Sequence, residues 1–454
     1  MNFTDDTSQI NETTRLSNEQ ASALKALTAF SAIKNENDVF ILTGSAGTGK
    51  TTLLKEFTVQ LENRKVDYKL LAPTGQAARV LSKKTGRVAR TLHNSIYTIS
   101  EIEKKNMIRY EFVPRTNNLS APCIFIVDEA SMISDQPANN EMFVSKRSVL
   151  HDLLDFYRNS PNGSKIVFVG DPFQLPPVNE DDSVALIEKY LEKSYELRVT
   201  GFTLNEILRH AKESYILKNA LLIRNLITKR IQYLPRLQHK QMYRTEVAID
   251  NFCKMYKPED SGFAVFLGWK NATVDKLNRA IRSRIFNKPD SIFCPTEQII
   301  IGRSYYSNNL YFPSGDIGKV ISFDPHSYEL VGETNFANAV FEFQLPNGNI
   351  SILDCKFDVD YLLNPNIENN TERIGKLWAD RKRKNKIFRE TNNPADDPYL
   401  SAIKVKYGYA ITTHKAQGGE WDHVFLYPEF PNDINRLRWI YTAVTRARKD
   451  LYSF

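Results

Sequence analysis

The chain has no apolar run near the roughly 20 residues that a membrane-spanning helix requires; its longest patches are of the size of Cys123 to Val127. No membrane partner is therefore expected. The start, Met1 to Arg15, carries acidic residues where a secretory leader needs a basic head and then an apolar stretch, and residues 1–15 read as a disordered tail. Only four cysteines occur, Cys123, Cys253, Cys294 and Cys355, and none is paired in a CxxC spacing. That scarcity excludes a disulfide framework and a cysteine zinc site, and it points to a reducing, cytoplasmic setting. Internal repeats and long low-complexity tracts are missing as well. Charge of neither sign is in large excess: 60 basic against 53 acidic residues leave +7, a mild lean toward an anionic partner.

What is present is an alternation. Between residues 17 and 200, the apolar strands Val39 to Thr43, Tyr68 to Ala72, Ile124 to Asp128 and Ile166 to Gly170 alternate with amphipathic helices, the pattern of a parallel sheet covered by helices. Each strand ends in a polar or glycine-rich turn, at the carboxyl edge where open α/β sheets gather ligands. From 96 to 113 two extended segments flank Lys104, Lys105 and Asn106 and predict an inserted β-hairpin. A second α/β region is expected over 201–288 and again over 401–454. Between its halves, residues 289–400 hold a β-rich insert, with Asn347-Gly348 a strong hairpin turn, followed by a basic helical stretch at 369–391.

Gly44-Ser45-Ala46-Gly47-Thr48-Gly49-Lys50-Thr51 fits GxxxxGK[ST] between a strand and a helix that begins at Thr52. Its backbone N–H groups would close around phosphate, Lys50 would reach the β- and γ-phosphates, and the Thr51 hydroxyl would ligate magnesium. This predicts ATP and Mg2+ as cofactors, with Gly44 to Thr52 as the binding segment. Asp128 and Glu129 end the next buried strand. An isolated Asp-Glu pair is more often a helix cap, but beside a P-loop Asp128 becomes the magnesium carboxylate and Glu129 the general base. In Gly170-Asp171-Pro172-Phe173-Gln174-Leu175-Pro176-Pro177, Gln174 is a candidate γ-phosphate sensor. Near the end, Arg446 or Arg448 is a candidate arginine finger.

With Ala72-Pro73-Thr74, Thr91-Leu92-His93, Thr413-His414-Lys415-Ala416-Gln417-Gly418 and Val444-Thr445-Arg446 added, the chain from residue 16 onward resembles superfamily 1 DNA helicases of the RecD-like, 5′-to-3′ branch. The resemblance implies an α/β fold of two RecA-like P-loop NTPase motor domains, the first at 16–200. The hairpin would be an inserted pin and the β-rich insert an SH3-like barrel. It implies that Gln20 reads adenine, that Arg209 and Arg446 reach phosphate from the second motor, and that Pro73, Thr74, Thr91, His93, Thr413, His414 and Lys415 contact DNA. Lys415 and Gln417 would link DNA to nucleotide. Gly75 departs from the family's histidine, and Ser134 to Ser160 is longer than the family needs, a candidate partner surface. The activity implied is an ATP-dependent helicase acting in replication, recombination or repair on single-stranded, forked or tailed DNA. A single-stranded-DNA-binding protein is a candidate partner, and a monomer is expected. The alternative is a DNA-stimulated ATPase that acts as a switch without separating strands. Phe173, Trp269, Trp421 and Trp439 lie in or beside motifs, where aromatic rings can stack bases; Trp439 is expected in the core.

Overall fold

The computed structural model describes residues 16–32, 38–104, 107–139, 143–207, 214–242, 244–287, 289–307, 310–364, 367, 371–391 and 393–453. Helix α1 (Asn18–Phe30) opens with a capping box in which the Ser17 hydroxyl accepts from the Gln20 N–H and the Gln20 side chain accepts from the Ser17 N–H. The strands that follow form a parallel sheet whose central members are largely apolar and buried on both faces, as parallel strands under helices must be, and whose outer members are more exposed. They are β1 (Val39–Gly44), β2 (Asp67–Ala72), β3 (Ala89–Thr91), β6 (Cys123–Val127), β9 (Lys165–Gly170) and β10 (Val199–Leu204), in the order β10-β1-β9-β6-β2-β3 and parallel throughout. Helices α2 (Lys50–Asn63) and α3 (Gly75–Thr85) join α1 on one face, and α5 (Val149–Arg158) covers the other. Pairing of β10 with β1 carries the first sheet to Leu204, past the boundary expected at 200.

The short helix α4 (Leu92–Ile96) leads into β4 (Tyr97–Lys104) and β5 (Met107–Pro114), an antiparallel pair in register from Tyr97↔Pro114 to Lys104↔Met107. The expected hairpin is thus present; residues 105–106 of its tip lie outside the described residues. The long stretch after Ser134, read from the sequence as a candidate partner surface, holds two strands. It forms β7 (Pro137–Asn139) and β8 (Phe143–Ser148), and β8 pairs in parallel with β5, giving a four-stranded sheet β4-β5-β8-β7. Lys146 adds an ion pair to Glu111 of β5 at 3.2 Å. Part of the surface expected to meet a partner is thereby used inside the chain.

A second parallel sheet takes the order Lys240–Gln241, Ala447–Ser453, Trp421–Leu426, Ala264–Gly268, Ala410–Thr412. Its core includes Trp421 and Trp439, both 0% exposed, and the Trp421 indole N–H donates to Ser261 O. Trp421 is therefore a core residue, like Trp439, and neither is a base-stacking platform. The insert is a five-stranded antiparallel sheet: Ile350–Asp358, Thr334–Gln344, Ile317–Val331, Gln298–Ile301, Val405–Tyr407. Gly348, at φ +86°, makes the turn expected at Asn347-Gly348. A bridge from Phe357 to Ile403 brings the two outer strands together, and the last strand lies beyond the boundary expected at 401. On the basic helix Thr371–Lys384 most cations are already paired: Arg373 with Asp358, Lys376 with Glu333, Arg381 with Asp397, and Arg383 and Lys384 with Asp380. That favours a structural helix over a DNA-gripping one.

Among the described residues no helix is long and apolar enough to cross a membrane.

Candidate functional site

Strand β1 ends at the glycine-rich loop, where Gly47 and Gly49 take φ of +82° and +77°, conformations that side-chain-bearing residues adopt at a cost. Helix α2 has no side-chain cap, so its first backbone N–H groups stay available to an anion. The Lys50 ammonium is held over the loop by Gly44 O at 2.6 Å and Ser45 O at 3.3 Å. Thr48 ties the loop to itself through Ser45 O at 2.9 Å.

Asp128 and Glu129 leave the carboxyl end of β6 beside this loop. The Asp128 N–H donates to Leu71 O of β2, which fixes the strand exit. Glu129 sits in the left-handed region at φ +52°, a strain of order 1–3 kcal/mol of the kind that clusters at functional sites. Burial first, and then the neighbouring Glu129 charge, push the Asp128 carboxyl up to about 7. A divalent cation would reverse that, and the Thr51 hydroxyl and Asp128 carboxylate are hard oxygen donors of the type magnesium takes. Among the described residues no cluster of three or more His, Cys, Asp or Glu forms a cage. A cation here would share phosphate oxygens with the protein.

The loop after β9 completes the floor. Gln174 is 5% exposed, and its Oε1 is buried without a hydrogen-bond partner among the described residues, an acceptor set where a ligand or water would satisfy it. The loop is gripped from the second sheet: Thr442 Oγ1 accepts from Leu175 N at 2.9 Å and the Gln417 amide donates to Leu175 O at 2.8 Å.

Two residues that the motifs did not reveal also reach the cleft. The Tyr441 hydroxyl donates to Asp171 Oδ2 at 2.6 Å and accepts from the Ala46 N–H at 3.0 Å, joining the P-loop to the Gly170–Pro177 loop. Arg224, on the helix Tyr215–Thr228, donates to Ser45 Oγ at 3.1 Å and lies 5.4 Å from the centre of the Phe173 ring. Phe173 thus faces the nucleotide side and is not a base-stacking ring. The only sequence sign of Tyr441 was its place just before Arg446.

The expected residues divide. Gln20 lies against the P-loop, but its amide N–H groups go to Thr48 O at 3.1 Å and Gly49 O at 3.4 Å. Arg209 lies outside the described residues. Arg446 is 4% exposed, and its guanidinium donates to Thr442 O and Gly419 O, so in this conformation it braces the second domain. Arg448 pairs with Asp422 at 2.8 Å. Thr74 and Thr91 are N-caps, their hydroxyls accepting from Ala77 N and Asn94 N, each worth about 1 kcal/mol to its helix. Pro73 precedes the first cap and is half-buried. His93 packs among Tyr97, Phe112 and Tyr311, and burial lowers its pKa to about 4, so it is neutral near pH 7 and no phosphate cation. Thr413 is fully buried with Oγ1 unpartnered among the described residues, burial lowers the His414 pKa, and Lys415 lines a shallow pocket with Asn271 and Thr412.

Comparison with known proteins fits this geometry. A family described as an AAA domain matches residues 15–236, and one described as a UvrD-like helicase C-terminal domain matches 407–452. The RecBCD enzyme subunit RecD of Buchnera aphidicola is 26% identical, over 92% of this chain and 70% of that one. The ATP-dependent RecD2 DNA helicase of Deinococcus radiodurans is 24% identical over 96% of this chain, which spans about half (49%) of it. The ATP-dependent DNA helicase dda of Enterobacteria phage T4 is 24% identical over 93% of this chain and 95% of its own length. A crystal structure of Pif1 helicase from Bacteroides with ADP-AlF3 and single-stranded DNA superposes with a TM-score of 0.47 at 18% identity, covering 97% of this chain and 92% of that one.

Proposed function

Because the chain belongs to the superfamily 1 helicases of the RecD- and Pif1-like group, we propose that it uses ATP hydrolysis to move 5′-to-3′ along single-stranded DNA and to separate duplex ahead of it. The observation that carries this reading is that one chain supplies both walls of the nucleotide cleft: the P-loop and Asp128-Glu129 from the first parallel sheet, and Tyr441, Thr442, Gln417 and Arg224 from the second domain.

The α2 N-terminus and Lys50 bind the phosphates, and Glu129 takes the proton of the attacking water. Thr51 and Asp128 would hold magnesium, which would supply positive charge against the phosphates. Gln174 reads whether the γ-phosphate is there and passes this through Leu175 to Gln417, in the same segment as the buried Thr413 and the neighbouring His414. Arg209 and Arg446 would complete the cleft on closure. The N-termini of α3 and α4, capped by Thr74 and Thr91 at the carboxyl edge, offer backbone N–H groups to DNA phosphates. On this reading the β4–β5 hairpin is the pin, and the five-stranded insert is the SH3-like barrel. A motor with both halves in one chain works as a monomer, and a single-stranded-DNA-binding protein is its natural companion on exposed DNA.

The deciding experiment offers a short duplex with either a 5′ or a 3′ single-stranded tail to the wild type and to Lys50→Ala, with ATP and magnesium. Opening of the 5′-tailed duplex alone, lost in the variant, is expected. ATP turnover without opening of either would replace the helicase reading with that of a DNA-stimulated switch.

A further inference from the structure

A cleft of about 710 Å³ lies beside edge strand β3, between β2, α4, the segment that follows β5 and Phe156 of α5, and away from the nucleotide cleft. Its lining includes Lys69 of β2, Arg87 and Arg90 at β3, Asn94 of α4 and Arg115 just beyond β5, and no carboxylate lines it among the described residues. Arg87 is held by a two-point pair with Glu62, both contacts at 2.6 Å. Lys69 and Arg90 make no ion pair among the described residues, and Arg90 is exposed. The Lys69 ammonium lies 5.9 Å from the Phe125 and Phe156 ring centres, which sets it toward this face. Arg115 ties the cleft to the hairpin, its Nε donating to Tyr97 O at 2.6 Å and its backbone N–H to Ile96 O at 2.7 Å.

Position decides what such a row of cations is for. Helix α4 enters the hairpin directly and residue 115 leaves it directly, so the cleft lies at the hairpin's root. The candidate contacts to the tracking strand, Thr74 and Thr91, sit at the carboxyl ends of β2 and β3, whereas the cleft follows the flank of those strands from Arg87 to Asn94. Unpaired cations along a groove suit a polyanion with regularly spaced charge.

We propose that this cleft binds the sugar-phosphate backbone of the second, non-tracking DNA strand as it leaves the hairpin. The proposal rests on the strand-separating reading above. It adds a second DNA path, with Lys69 and Arg90 as phosphate contacts.

The test compares wild type with the Lys69→Ala/Arg90→Ala double variant, both checked for an unchanged melting transition, by equilibrium binding without nucleotide. The probes are a single strand, a duplex with a 5′ tail, and a fork that adds a non-complementary 3′ tail. Wild type should prefer the fork to the tailed duplex by roughly three- to tenfold, and the slope of log affinity against log salt should be steeper on the fork by about 0.7 for each phosphate engaged. The variant should lose that preference and that extra slope while keeping its affinity for the single strand and its DNA-stimulated ATPase. Equal fork preference in both proteins, no preference in wild type, or a matching loss on the single strand would overturn the proposal. So would a poly-glutamate peptide that wild type binds more tightly than the fork and the variant does not, which would assign the cleft to an acidic protein segment. Binding reads the cleft whether or not the duplex opens, so its failure is separable from that of the helicase reading, which tailed-duplex unwinding tests.

Discussion

Tyr441 is a single hydroxyl with two obligations, and both partners are left unpaired if it is removed. Burial and the adjacent Asp171 carboxylate hold the phenol well above its usual range, so it acts as a neutral donor. Tyr441→Phe keeps the ring and deletes the bridge; at about 1–3 kcal/mol for an orphaned buried group, turnover of ATP in the presence of single-stranded DNA is expected to fall by roughly ten- to a hundredfold. Steady-state ATPase measurement checks it, and a near-normal rate would mean the bridge is incidental. His93 makes a prediction of a different kind. Its folded pKa, about 4, lies below the ordinary 6.5, so the unfolded chain binds the extra proton and stability must drop as pH falls from 6.5 through 4. The full loss is roughly 3 kcal/mol, and His93→Phe should flatten this part of the pH profile in denaturant melts. Lys50, Asp128 and Glu129 were legible because strand, turn and chemistry lie within a few residues of one another. Tyr441 was not, since its partner Ala46 is 395 positions away and only the folded sheets bring them together.

Among the elements, the hairpin carries the distinction between moving and unwinding. Deleting Ser100 to Val113 should abolish opening of a 5′-tailed duplex while leaving DNA-stimulated ATPase within about twofold, since the root contacts of Tyr97 with Asp152 and of Arg115 remain. Loss of both activities would show that the hairpin serves the fold. The hairpin was legible from alternating apolar residues, and the parallel sheets from their uninterrupted runs. β7 and β8 were not: a strand that starts at Pro137 and one that ends in Ser145, Lys146, Arg147 and Ser148 have little strand character of their own, and they form by pairing with each other and with β5. The basic helix misled in the opposite direction, because three of the acidic residues that neutralise it, Asp358, Glu333 and Asp397, come from other elements.

At the scale of the whole molecule, one of the links between the two parallel sheets is a short loop whose Leu175 is held at its carbonyl by Gln417 and at its N–H by Thr442. Gln417→Ala should therefore reduce the stimulation of ATPase by single-stranded DNA by about tenfold, for a buried hydrogen bond of roughly 1 kcal/mol or more, with the DNA-free rate almost unchanged. A rate ratio equal to wild type would locate the coupling elsewhere. The insert joins the second sheet in a way that matters beyond catalysis. Gln298–Ile301, near its entrance, and Val405–Tyr407, at its exit, pair with each other along Ile299↔Tyr407 to Ile301↔Val405. Chain that departs and returns through one adjacent pair of strands is a cassette with a single doorway: its contents can lengthen, shrink or be exchanged between motors without rerouting the sheet that hosts them, and a graft that keeps those two strands in register should leave the engine behind it folded.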